Sequence, residues 1–170
     1  MQSEIKYEII TNNIQDSDTF NKRIDELVLL SLEFEDRHKD PTESYINEIK
    51  NNFLEKLKHN SVFVIVVDPE GDRTIAYGEL DLQDQARELA LLTEAYVSPE
   101  FRKRGIYTHL LRERERIAGE AGFRNIRALP VDRRSDSVLE SQGYHEDYTI
   151  GDENIRIKSL STYRSGTESE

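Results

Sequence analysis

The sequence predicts one α+β domain built on a mixed, mostly antiparallel sheet with helices on its faces. Three observations carry that reading. Helix-like and strand-like apolar periodicities alternate along most of the chain, three consecutive strand patterns sit in its middle, and no linker or internal repeat divides it. The 170 residues suit a single core. The domain is expected over residues 1–164, with a polar tail over 165–170.

Ile5 to Ile10 reads as a short strand. Asp16, Ser17 and Asp18 then offer capping side chains to a helix carrying Phe20, Ile24, Leu27, Val28 and Ser31 at helical spacing. Pro41 breaks it, and Tyr45, Ile46, Ile49, Phe53 and Leu57 form the stripe of a second helix. Val62 to Val67 is apolar at every position, as a central strand covered on both faces should be. Asp68-Pro69-Glu70-Gly71 is a turn. Strands follow over Thr74 to Leu82 and Glu88 to Val97, completing an antiparallel meander. Gly105 to Ala121 predicts a helix with Arg112 to Arg116 mostly outward, closed by Gly122. Ile126 to Val131 is a strand, Ser135 to Gln142 a short helix closed by Gly143, and Tyr144 to Ile150 and Ile155 to Leu160 the last strands. The order is β-α-α-β-β-β-α-β-α-β-β.

Composition excludes several classes. Hydrophobic residues make up 36% and charged residues 34%, enough for a core under a highly charged surface. No apolar run approaches the ~20 residues of a membrane span, and the chain opens polar and acidic, so a cytoplasmic protein without a membrane partner is expected. The absence of cysteine excludes disulfides, thiolate metal sites and a cysteine nucleophile. His38, His59, His109 and His145 lack metal-ligand spacing, so no metal is expected. A net charge of −11 disfavours nucleic acid as a partner. It would favour cationic acceptors such as amines, although solubility or a salty cytoplasm explains the same charge.

The informative stretch is Val97 to Leu111. A strand ends at Val97, Pro99 forces a turn, and Arg102, Lys103 and Arg104 crowd the start of a helix at Gly105. A helix N-terminus presents unpaired N–H groups and about half a positive charge, which suits an anion. Gly105 lets that anion come close to the backbone, and a bound polyanion relieves the opposition between the cations and the helix dipole. A solvated basic turn is the alternative.

This segment resembles the acetyl-CoA-binding motif of the GNAT superfamily of N-acetyltransferases. That motif is a strand ending in Val, a Pro-containing turn, Arg or Gln, two residues, Gly, one residue, then Gly or Ala. Val97, Pro99, Arg102 and Gly105 match the spacing, and the element order fits the GNAT-like fold over nearly the whole chain. The resemblance implies acetyl-CoA as acyl donor. The main-chain amides of Arg102, Lys103, Arg104, Gly105, Ile106 and Tyr107 would cradle its pyrophosphate. Ala95, Tyr96 and Val97 would pair with its pantetheine arm, admitted where the Ile126 to Val131 strand splays away. Asp132 to Tyr144 resembles the second cofactor motif, with Asp132 at the usual Asn position. Arg134, with Arg133, could reach a CoA phosphate or be ordinary surface charge. Two positions depart from the pattern. Tyr107 replaces Gly or Ala, and Leu139 replaces the Tyr that often protonates the departing CoA thiolate.

The implied reaction is transfer of an acetyl group from acetyl-CoA directly to a primary amine of a small molecule or peptide. The amine needs a base. Glu94 is the first candidate, as the lone carboxylate on the face shared by Ala90, Leu92 and Tyr96, where burial would raise its pKa. Tyr144, Tyr148 or Ser141 could protonate the thiolate. Glu79 and Asp81 share a face of the preceding strand and could hold a cationic acceptor. Glu33, Asp36 and His38, between the first two helices, are expected to face the acceptor. The other readings are a non-catalytic acyl-CoA-binding or regulatory module, favoured by Leu139, and an interaction protein whose basic turn binds a phosphorylated partner. A homodimer is left open, since dimers are frequent in the family.

Overall fold

The computed structural model describes residues 5–12, 18–35, 40–130 and 132–160. Its elements are β1 (Lys6–Ile10), α1 (Asp18–Phe34), α2 (Glu43–Lys58), β2 (Ser61–Asp68), β3 (Arg73–Asp84), β4 (Leu89–Val97), α3 (Ile106–Glu120), β5 (Asn125–Ala128), α4 (Arg133–Ser141), β6 (His145–Ile150) and β7 (Glu153–Ser159). This is the order that the periodicities predict. Local chemistry sets several boundaries. The Thr42 hydroxyl accepts the Tyr45 N–H at 3.3 Å and starts α2. Asp132 and Ser135 cap α4 reciprocally, each side chain accepting the other's backbone N–H.

The strands form one sheet in the order β1-β2-β3-β4-β5-β7-β6. Among the described residues, only β4 and β5 pair in parallel; the other neighbouring pairs are antiparallel. Alternation along β2 separates two layers. Phe63, Ile65 and Val67 pack with Ile24, Leu27 and Phe53 of α1 and α2. Val64 and Val66 pack on the other face with Ile106 and Leu110 of α3. Leu139 of α4 joins Leu111 and Ala118 of α3 in the remaining cluster. The sheet is therefore covered on both sides, which is why β2 carries no polar alternation.

A buried ionic knot joins α1 to the sheet. Arg23, only 3% exposed, reaches Glu8 of β1, Glu26 and Asp72. Glu26 in turn accepts the Thr74 N–H at 3.0 Å.

One irregularity sets up the site. Between β3 and β4 the register passes from Gly78↔Ala95 to Leu80↔Leu92, so β4 carries an extra residue there. This bulge at Thr93–Glu94 switches the phase of the strand. Ala90 and Leu92 pack on the α3 side, whereas Tyr96 packs on the α1 side.

Candidate functional site

The Val97–Ile106 connection is a turn that gathers cations and left-handed backbone at the start of α3. Pro99–Phe101 makes one 3₁₀ turn, Lys103 takes a left-handed backbone (φ +63), and Gly105 takes another (φ +76) as the residue before α3. A Cβ on Gly105 would meet nothing nearer than His109 Cδ2 at 4.0 Å, so backbone conformation rather than crowding demands glycine here. Among the described residues, no side chain caps α3. Arg102 donates its backbone N–H to Pro99 and His109 to Gly105. Among the described residues, the backbone N–H groups of Lys103 to Thr108 between them find no acceptor. Two of the three cations are held by the turn. Arg102 Nε donates to the Val97 carbonyl at 2.9 Å and its guanidinium lies over the Tyr96 ring. Arg104 donates to the Glu100 carbonyl and lies over Phe101. A row of free amides at a helix start, ringed by positive charge, has the donor set that a pyrophosphate needs.

An open strand edge leads away from that turn. β4 and β5 pair only from Leu89↔Asn125 to Leu92↔Ala128. Past the bulge, Ala95, Tyr96 and Val97 pair, among the described residues, with β3 alone. Their other edge therefore keeps backbone groups available to an extended ligand. The sequence extended β5 to Val131; its last described strand residue is Ala128, and Val131 lies outside the described residues.

The α1–α2 side of the bulge corrects the reading of Glu94. Sequence alternation placed it beside Ala90 and Leu92 and buried it. The extra residue turns it to the opposite face, where its side chain is 46% exposed and accepts from Lys56 Nζ at 3.1 Å. Lys56 also donates to Glu79 at 2.9 Å. Glu79, 2% exposed, accepts from Ser61 Oγ at 2.9 Å on its other oxygen. Glu79 is thus an internal counter-ion for Lys56 rather than an open acceptor contact. Glu79, Glu94 and neighbouring Tyr77 share this corner. Burial, then the two carboxylates, push the Tyr77 hydroxyl well above the usual range.

The α3 side corrects the outward placement of Arg112 to Arg116. Arg114 is 1% exposed. Its NH1 donates to the Glu79 carbonyl at 3.1 Å and its Nε to the Leu110 carbonyl at 3.2 Å. It continues the four-residue row Ile106, Leu110, Arg114, Ala118 on the buried face of α3, which was the available signal. Leu139 is 1% exposed in the apolar cluster with Ala128 and Tyr144. Tyr144 is buried, with a hydroxyl that has no hydrogen-bond partner among the described residues, and burial, then the neighbouring Glu115 carboxylate, makes it much less acidic. Tyr107 packs beside the Val97 and Ile106 cluster. Asp132 accepts the Ser135 N–H at 2.7 Å, which holds its carboxyl below the usual range. Arg134, on the first turn of α4, is exposed.

At the end of β4, Glu33 accepts from the Tyr96 hydroxyl at 3.0 Å and from Ser98 Oγ at 3.4 Å. Burial and this carboxylate push the Tyr96 hydroxyl up to about 12. Asp36 and His38 lie outside the described residues.

This bulged strand, splayed parallel neighbour and uncapped α3 define an acetyltransferase scaffold. The chain belongs to the acetyltransferase (GNAT) family, whose model matches residues 23–144. No curated protein matches it. Among solved structures, it is similar to the PaiA N-acetyltransferase of Thermoplasma acidophilum in complex with coenzyme A. That likeness has a TM-score of 0.62 at 20% identity, covering 92% of this chain and 99% of that one. It is also similar to the phosphinothricin acetyltransferase of Sinorhizobium meliloti in complex with acetyl-CoA, at 17% identity and TM-score 0.64, covering 100% of this chain and 93% of that one. Tetrahymena GCN5 gives a TM-score of 0.69 at 12% identity, covering 93% of this chain and 98% of that one.

Proposed function

We infer that this chain is an N-acetyltransferase that moves an acetyl group from acetyl-CoA directly to a primary amine of a small molecule or peptide. The observation that carries the reading is the run of acceptor-free amides from Lys103 to Thr108, continuous with the open edge of β4. The amides and the Arg102–Arg104 cations hold the pyrophosphate, and the β4 edge from Ala95 to Val97 pairs with the pantetheine amides.

The amine reaches the bulge from the α1–α2 side. Its nitrogen forms a bond to the thioester carbonyl carbon, the carbon–sulfur bond breaks, and the amine's proton passes to Glu94 directly or through water. Glu94 suits this role by position: it is exposed at the bulge, beside a lysine that Glu79 already neutralises. Glu33, at the C-terminal end of α1, borders the same end of β4 and fits a contact with the acceptor.

Buried Leu139 supports a second reading, an acyl-CoA-binding module without turnover. Calorimetry with acetyl-CoA, followed by a thiol-release assay over a panel of primary amines, decides between them. Micromolar binding with thiol release is expected. Binding without release from any amine would favour the module, and no binding would overturn both.

A further inference from the structure

The corner that presents Glu94 already holds a primary amine. Lys56 lies in the last turn of α2, next to Leu57 and three residues after Phe53, both buried in the α1–α2 layer. Its side chain is 25% exposed and reaches both strands of the bulge. Nζ donates to Glu79 Oε2 of β3 at 2.9 Å and to Glu94 Oε1 of β4 at 3.1 Å. An ammonium has three donors, and among the described residues the third finds no acceptor. The other lysines of α2 pair elsewhere, Lys50 with Asp25 and Lys58 with Glu55. Glu94 is the base of the proposed reaction, and Ala95 begins the open edge that takes the pantetheine arm. Neighbouring strand residues lie about 3.3 Å apart. An amine that hands its proton to Glu94 therefore stands where the thioester carbon arrives. Lys56 Nζ is already within hydrogen-bonding distance of that carboxylate, on a flexible stem.

We propose that Lys56 is a self-acetylation site: with no external amine bound, the chain transfers the acetyl group of its own acetyl-CoA to Lys56 Nζ. The proposal rests on the acetyl-CoA reading above, with Glu94 as its base. Burial pulls the Lys56 pKa down, but the bond to Glu79 and the charges of Glu79 and Glu94 outweigh it and hold the amine above the ordinary lysine range. Lys56 is therefore an ammonium until a base takes its proton. Glu94 accepts that proton, and the neutral nitrogen forms a bond to the thioester carbonyl carbon. The carbon–sulfur bond breaks, the second nitrogen proton passes through solvent to the departing sulfur, and Glu94 returns its own proton to solvent. The products are an amide on Lys56 and free CoA thiol. The amide carries no charge, so acetylation leaves Glu79 and Glu94 without the cation they share.

The test needs no acceptor. The wild-type chain is incubated with acetyl-CoA alone and followed by peptide mass spectrometry. Acetylation is expected on Lys56 ahead of Lys50 and Lys58 of the same helix. Uncatalysed acetylation follows exposure and would take Lys58 first, since its side chain is 58% exposed. The rate constant should not depend on the concentration of the chain, because the amine and the base belong to one molecule. Glu94→Gln, saturated with acetyl-CoA, should slow the modification of Lys56 about 100-fold. Calorimetry on the same samples reports acetyl-CoA binding. Binding without acetyl-Lys56, acetylation ordered by exposure, a rate constant that grows with chain concentration, or an equal rate in Glu94→Gln would each overturn the assignment. Thiol release with an amine of the panel would in those cases leave the enzyme reading standing. Failure of the wild type to bind acetyl-CoA would overturn the acetyl-CoA reading itself and this assignment with it.

Discussion

Gly78 and Arg114 are fitted to one another: a Cβ on the glycine would stand 2.8 Å from the Cζ and Nε of the arginine. The arginine is 1% exposed and lies between α3 and β3 beside the bulge, held by the Leu110 and Glu79 carbonyls. Gly78→Ala is expected to destabilise the fold by about 1–3 kcal/mol through overpacking. Thermal melting checks it. An unchanged melting temperature would mean that the guanidinium moves aside freely.

Arg23→Met breaks the knot to Glu8, Glu26 and Asp72 and should cost roughly 1–3 kcal/mol, because it removes charge-assisted hydrogen bonds from the partly buried Glu8 and Glu26, which keep only Lys6 and Lys22 nearby. Chemical denaturation measures it. The same knot predicts a pH dependence. The hydrogen bond from Arg23 holds Glu8 below its ordinary 4.5, and bonds from Lys22 and then Arg23 hold Asp72 at about 2 instead of 3.8. Carboxyls depressed in the folded state stabilise it above their unfolded values and stop doing so as pH falls through the folded ones. Wild-type stability should thus decline from about pH 4.5 toward pH 2, and more shallowly in Arg23→Met. Parallel declines would count against the knot.

Lys56→Met should leave Glu79 buried with only Ser61 as a partner. The variant should be less stable than wild type by about 1–3 kcal/mol. A second substitution, Glu79→Gln, should restore most of the loss. Chemical denaturation of the single and double variants tests both statements.

Gly105 separates backbone strain from access to the cradle. Gly105→Ala must hold φ near +76, at a cost of about 1–2 kcal/mol. It should keep acetyl-CoA binding. Gly105→Val should remove micromolar binding, and wild-type affinity should weaken with added salt as screening grows. Calorimetry at two ionic strengths decides; equal affinity in Gly105→Val would place the pyrophosphate elsewhere.

Much of the fold was legible because periodicity reports burial residue by residue. The unbroken apolar run Val62 to Val67 foretold a strand covered on both faces, and the element order followed. The turn was legible for the same local reason: Pro99, three cations and Gly105 belong to consecutive residues whose conformations they largely set. Glu94 was not legible. Its face depends on a bulge, and a bulge is a property of how β4 pairs with β3. Arg114 was half legible, since it lies in the row of Ile106 and Leu110, but its charge argued against burial until Gly78 supplied the space.

By itself, the sequence determined the order of strands and helices, the basic turn ahead of α3, and the departures at Tyr107 and Leu139, because each depends on neighbours within a few residues. Only the tertiary structure decided which carboxylate is exposed at the bulge, which is tied to Lys56, and where the buried arginine lies. Those outcomes are set by register and by contacts between residues far apart in the chain, where one extra residue in β4 reverses the face of everything after it.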